Sequence, residues 1–269
     1  MAWILVAGSI LFVWIISLCK VILMSHMTNR NSFKRNGKAL QKRNVLLVIA
    51  HPDDESMFFT PTINFLTSRG HNVRMFCLSI GDADNKGNVR KQELYQACAT
   101  LKVPMQQVKV VDHPDLQDGF GKVWNHNILA NLVKEEIRRH TIDMIITFDN
   151  YGVSGHCNHR DVHYGVRTSV NSFSYGISRK LLHDNPYGDI EAWELVSTNI
   201  LRKYSGPIDI WFSMFVAMMH SNGTIQFLVN EHSHRSFLAM AQHSSQWVWF
   251  RKFFVAMSSY TYMNTLRKI

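Results

Sequence analysis

The chain has 269 residues, 46% of them apolar, with 29 Lys and Arg against 20 Asp and Glu for a formal net charge of +9. That length supports one full-sized α/β core plus an appendage and argues against a second catalytic domain. The four cysteines, Cys19, Cys77, Cys98 and Cys157, are scattered, which excludes a disulfide framework and favours a reducing compartment for the bulk of the chain.

The excess of positive charge suits nucleic acid, anionic lipid or a phosphorylated substrate, and its placement decides among them. Residues 1–24 are almost wholly apolar apart from Ser9, Ser17 and Lys20, and a bilayer needs about 20 such residues as helix. Arg30, Lys34, Arg35, Lys38, Lys42 and Arg43 follow, with no acidic residue before Asp53. A transmembrane anchor over 1–24 and a basic juxtamembrane linker over 25–43 are therefore expected, with the following domain on the cytosolic side. A cleaved signal peptide fits less well, because a basic start is lacking and Lys20 interrupts the apolar run. Nucleic acid is not an expected partner, since the basic cluster adjoins an apolar span and no aromatic basic groove is evident.

Val45-Leu46-Leu47-Val48-Ile49 is a short continuous apolar run, the pattern of a parallel strand buried on both faces. It delivers His51, Asp53, Asp54 and Glu55 just beyond its carboxyl end, where ligands sit in open α/β sheets. His51 and Asp54 can converge on one cation across the strand-to-helix turn, leaving Asp53 free. A helix over 55–69 with an irregular first turn at Pro61 is predicted next, then a strand over 71–79, a loop from Gly81 and a helix over 89–101. A strand over 108–111, a helix over 124–140 and a strand over 143–148 complete an alternation that implies parallel strands joined by right-handed crossovers. The last of these strands runs into Gly152-Val153-Ser154-Gly155-His156-Cys157-Asn158-His159, and its glycines permit the turns that bring His156 and His159 toward His51.

Two nitrogens and a carboxylate around an open position make a catalytic zinc set that also suits ferrous iron. The free carboxylate of Asp53 favours hydrolysis and hence Zn2+. His163, one helical turn after His159, is a lesser candidate ligand. Beyond 183 the pattern weakens into expected strands near 195–201, 208–219 and 224–228 and a helix from Ser233. This predicts a Rossmann-like core over 44–182 and a smaller α+β region over 183–269 packed on it. The fold class is thus α/β, a Rossmann-like mostly parallel sheet with flanking helices, preceded by one transmembrane helix. The apolar stretch 210–219 is read as a buried strand, and the aromatic and cationic stretch 247–254 suits either a membrane interface or a core helix.

Ala50-His51-Pro52-Asp53-Asp54-Glu55 with Gly155-His156-Cys157-Asn158-His159 resembles the zinc-dependent LmbE-like de-N-acetylases, which include mycothiol-pathway and teicoplanin-type sugar deacetylases. Gly81-Asp82-Ala83-Asp84, Arg90-Lys91-Gln92-Glu93-Leu94 and His243-Ser244-Ser245-Gln246 are similar to the eukaryotic, endoplasmic-reticulum branch, over about residues 44–255. That resemblance implies His51, Asp54 and His159 as Zn2+ ligands, Asp53 as general base, and His156 as oxyanion partner or proton donor. It makes Arg90 and His243, with Gln246, candidate substrate contacts. The implied substrate is the glycolipid N-acetylglucosaminyl-phosphatidylinositol, with a soluble amino-sugar conjugate and a silent membrane scaffold as the competing readings. Many bacterial members carry Pro-Asp where this chain has Cys157-Asn158, so a carboxylate between the two histidines is missing here.

Overall fold

The computed structural model describes residues 2–28, 42–119, 121–179, 190–220 and 223–269. Most of the expected basic linker, 29–41, lies outside them, as does 180–189. Helix α1 (Ala2–Thr28) comes first. The domain then runs β1 (Asn44–Ile49), α2 (Asp54–Met57), α3 (Thr60–Ser68), β2 (Asn72–Cys77), α4 (Gly87–Thr100), β3 (Val108–Val110), α5 (His126–His140) and β4 (Met144–Phe148). A single turn, α6 (Gly152–Gly155), leads into α7 (Cys157–Arg179). The remainder is β5 (Glu191–Leu195), α8 (Ile200–Lys203), α9 (Asp209–Met219), β6 (Ile225–Val229), α10 (His234–Gln242), α11 (Trp249–Met257), α12 (Ser259–Tyr262) and β7 (Met263–Lys268).

The seven strands of the described residues form one sheet in the order β3-β2-β1-β4-β5-β7-β6. The first five are parallel, and β7 and β6 add antiparallel. β1 and β4 are buried along nearly their whole length, which is why their sequences are continuous rather than alternating. These two strands pair at the centre of the sheet, where chain order reverses and the crevice of a doubly wound fold opens. The helix predicted over 55–69 is broken at Phe58 and Phe59, and Pro61, lacking an N–H, sits in the first turn of α3 where no donor is needed.

Three expectations for the carboxyl-terminal third need correction. The stretch 208–219 is a helix, α9, and not a buried strand; much of its apolar surface points outward. The strand near 195–201 ends at Leu195, because Asn199 caps α8 by accepting the Arg202 N–H through its side chain. The region after 183 does not form its own layer: β5, β7 and β6 extend the same sheet. β7 itself, Met-Asn-Thr-Leu-Arg-Lys, was not predicted, since it alternates poorly and carries two cations.

Helix α1 has an apolar stretch, Trp3–Met24, long enough to cross a membrane and only 11% buried. One side of it is not free. Val21 packs with Ile210 of α9, Phe227 and Val229 of β6, Tyr262 and Met263, and Trp14, Leu18 and Met24 lie against that cluster.

Candidate metal centre

The carboxyl ends of β1 and β4 bring His51, Asp54, His156 and His159 together. One ring nitrogen from each of the three histidines falls within 4.8 Å of the others. Asp54 Oδ1 lies 3.1 Å from His159 Nε2, and Asp54 Oδ2 lies 3.9 Å from His51 Nδ1. Asp54 Oδ2 accepts the backbone N–H groups of Ala50 and His51 at 3.0 and 2.8 Å, which fixes the carboxylate at the start of α2. Burial pushes the Asp54 carboxyl up, but His159, His51 and these hydrogen bonds outweigh it and hold it well below the usual range.

Each ligand candidate is oriented from behind. His159 Nδ1 lies 3.0 Å from the Gly152 carbonyl, so a proton there leaves Nε2 to face Asp54. The ring also stacks flat on Phe148, with centroids 4.1 Å apart. His51 Nε2 faces Asp118 Oδ1 and Asn158 Oδ1, both at 3.1 Å, which leaves its Nδ1 for a cation. The carboxylate that orients His51 is supplied by Asp118, in the loop after β3. Burial raises the Asp118 carboxyl, yet His51 and Arg90 bring it down to about 2. Burial, followed by the neighbouring His51 and His159, lowers His156 to about 4, so its imidazole is neutral near pH 7. His163 sits one turn further along with Nδ1 against the Phe148 carbonyl and Glu194, outside the cluster.

Gly152 is the tightest point of this arrangement. Its φ of +69° suits glycine, and a Cβ there would come within 2.7 Å of the His159 Cβ. Gly152→Ala should displace the His159 ring and lower the affinity for added divalent metal by about 10–100-fold, as loss of an orienting contact does. Isothermal titration with metal on the two proteins checks this.

Asp53 is held separately. Its φ of 125° is unusual for a residue with a side chain, and such strain clusters at functional positions. Glu55 Oε2 accepts the Asp53 N–H at 3.1 Å, and Glu55 Oε1 is 2.6 Å from His243 Nε2. The Asp53 carboxylate takes Arg251 Nη1 at 2.7 Å and Arg90 Nη2 at 3.4 Å. Burial pushes its carboxyl up, against the pull of the two guanidinium groups.

Arg90 and His243 lie behind this arrangement, where the sequence suggested substrate contacts. Arg90 is 7% exposed, with its Nη groups committed to the Gly81 and Pro52 carbonyls, Asp53 and Asp118. His243 is wholly buried on Glu55. Gln246 accepts Arg251 Nη1 at 2.6 Å. The His-Ser-Ser-Gln run thus serves Asp53 twice, through Glu55 to its backbone and through Arg251 to its carboxylate. Arg251 and Asp118 escaped sequence reading because each acts on residues far away in the chain. Only the aromatic and cationic composition of 247–254 drew attention to Arg251.

His243→Ala strands a buried carboxylate and should cost about 3–5 kcal/mol. Burial lowers the His243 imidazole but Glu55 outweighs it, so its folded value is raised. The stability it supplies is then fully present below about 6.5 and fades as pH rises through the folded value. Thermal unfolding of both proteins across that range, in detergent, measures it.

The sheet order and this cluster at its switch point define a Rossmann-like α/β protein with a candidate metal centre. The family model for GlcNAc-PI de-N-acetylases (PIG-L) matches residues 46–170. A probable N-acetylglucosaminyl-phosphatidylinositol de-N-acetylase of Dictyostelium discoideum is 33% identical over 258 residues, covering 90% of this chain and 100% of that one. The Bos taurus N-acetylglucosaminyl-phosphatidylinositol de-N-acetylase is 34% identical over 221 residues, covering 82% and 81%. The chain belongs to this GlcNAc-PI de-N-acetylase family. Among solved structures, N,N'-diacetylchitobiose deacetylase from Pyrococcus horikoshii superposes with a TM-score of 0.60 at 15% identity, covering 91% of this chain and 90% of that one, a likeness of fold.

Proposed function

We propose that the chain hydrolyses the acetamide of N-acetylglucosaminyl-phosphatidylinositol to acetate and the free amine, an early step of GPI-anchor biosynthesis, with Zn2+ as cofactor. The observation that carries the chemistry is the pairing of an oriented His51, Asp54 and His159 donor set with a separate carboxylate, Asp53, held ready by two arginines. The donor set fits a cation: a carboxylate lowered below its usual range faces imidazole nitrogens whose opposite nitrogens are already hydrogen-bonded. His51, Asp54 and His159 would hold Zn2+, which supplies Lewis acidity toward the acetamide oxygen and acidifies water.

Asp53 is assigned the proton of the attacking water, as general base. Arg251 and Arg90 fix the carboxylate's direction and oppose the upward push of burial on its pKa. His156, neutral near pH 7, is assigned hydrogen bonding through its N–H to the developing oxyanion, and the proton that Asp53 takes from the water is the one passed to the departing amine. No covalent acyl-enzyme is required. The working location is the endoplasmic-reticulum membrane, entered once by α1, with the catalytic domain on the cytosolic side.

Acetate release from N-acetylglucosaminyl-phosphatidylinositol in detergent, by native, chelated and zinc-restored chain, tests this. Activity lost on chelation and regained with zinc is expected. A folded, zinc-loaded chain that releases no acetate from the glycolipid but does so from a soluble amino-sugar conjugate would move the substrate; release from neither would leave a silent scaffold.

A further inference from the structure

Helix α9 is apolar on its outward side as well as on the side that packs Ile210 against α1, unlike a water-facing helix. Its inward side carries Asp209 and Ser213, both buried and both bound by Arg202: Nε to Asp209 Oδ1 at 2.6 Å, and Nη2 to Ser213 Oγ at 2.9 Å. Its outward side carries Trp211, Phe212, Phe215, Met218 and Met219, from 46% to 75% exposed, at the spacing of one helical face. Helix α11 repeats the pattern: Phe254 and Val255 point inward, while Trp249, Phe250 and Phe253 are 53% to 78% exposed. The two faces are joined. Tyr204 stacks on Phe253 with centroids 6.4 Å apart, and the Arg202 guanidinium lies 4.2 Å from the Phe212 ring centre. Exposed Ile200 and Leu201 of α8 immediately precede Arg202 in the chain. Contiguous apolar exposure of this extent marks an interaction site rather than ordinary surface.

What covers it is indicated by α1. Trp211 Nε1 donates to Ser17 Oγ at 2.9 Å, and Lys20 Nζ is 5.4 Å from the Trp211 ring centre, so α9 adjoins residues inside the apolar span Trp3–Met24. Trp14 reaches Tyr262 across the same contact. Trp14 lies about 15 Å back along the helix from the end of that span at Met24, at 1.5 Å per residue. If α1 enters a bilayer, the domain surface packed on it is drawn to membrane depth as well. The exposed Lys252 accompanies these aromatics, as cations do in segments that lie in an anionic interface.

We propose that α8, α9 and α11 form a monotopic platform that inserts its aromatic and methionine face into the bilayer that α1 enters. The proposal rests on the membrane reading of α1 and extends it from a tether to a seated domain. It has a consequence for the site: α11 carries Phe250 and Phe253 toward lipid and Arg251 to Asp53, so one helix joins the membrane face to the reacting carboxylate. A glycolipid headgroup then meets the site at the level where it emerges from the membrane.

The test uses the full chain in phosphatidylcholine and phosphatidylserine vesicles, with the photoreactive residue benzoylphenylalanine placed singly at Phe215, Phe250 or Met105. Met105 is 58% exposed beside β3, at the opposite edge of the sheet. Irradiation should give lipid adducts at positions 215 and 250 at least about tenfold above 105, as burial in the headgroup and acyl boundary demands. Equal yields at all three positions, in chains that remain vesicle-bound and release acetate, would overturn the platform while leaving the proposed activity standing. Protein adducts in place of lipid adducts at 215 would also overturn it, making the face an interface between proteins. Lipid adducts at 215 and 250 in a zinc-loaded chain that releases no acetate would support the platform and count against the activity.

Discussion

Asp53→Asn should retain bound metal and lower turnover by about 10²–10⁴-fold, the usual contribution of a positioned general base. The amide keeps the shape that Arg251 and Arg90 grip and removes the group that takes the proton. The Asp53 backbone, with its φ of 125° tied to Glu55, is expected to stay in place, because Glu55 is itself held by His243. Metal content and single-turnover deacetylation on the same preparation separate the two effects. Loss of metal from Asp53→Asn to the extent seen for a ligand variant would falsify the division of labour between Asp53 and Asp54.

His159→Ala should produce the opposite pattern, with metal affinity falling by more than about 100-fold and activity lost along with it. Removing only an orienting neighbour costs 10–100-fold, and removing the donor itself costs more. The ring is buried, stacked on Phe148 and bonded to the Gly152 carbonyl, so little freedom exists for another side chain to replace it. His51→Ala should behave likewise. His156→Ala discriminates between the ways of reading a cluster in which three histidines lie within 4.8 Å. Retained metal with reduced turnover assigns it to the reaction, and metal loss equal to that of His159→Ala assigns it to the cation.

The part of the molecule legible in the sequence is the part whose order in the chain matches its order in space. β1 and β4 announce themselves as unbroken apolar runs, and the residues after each meet at the switch point because parallel strands end at one edge. The partners of Asp53 were illegible for the opposite reason. Arg251 reaches it from a helix 198 positions later in the chain, and Asp118 reaches His51 from a loop with no distinguishing pattern. α9 misled for a physical reason too. An apolar run near ten residues reads as buried when water is assumed to be the solvent, and the period-3.6 face it carries points away from the protein. β7 was missed because its cations sit on the rim, where Arg267 pairs with Glu194 of β5.

The position of that last strand sets an order of assembly. β7 separates β5 from β6, so β6 has no hydrogen-bonded place in the sheet until residues 263–268 arrive from well down the chain. β1 to β4, which carry the histidines and carboxylates, close through short crossovers and can form first, while distant pairings are slow to nucleate. Until β7 wedges in, the surface that grips α1, built from Phe227, Val229, Tyr262 and Met263, stays open and sticky. The half of the domain whose pairing waits for the last strand is therefore the half that packs on α1.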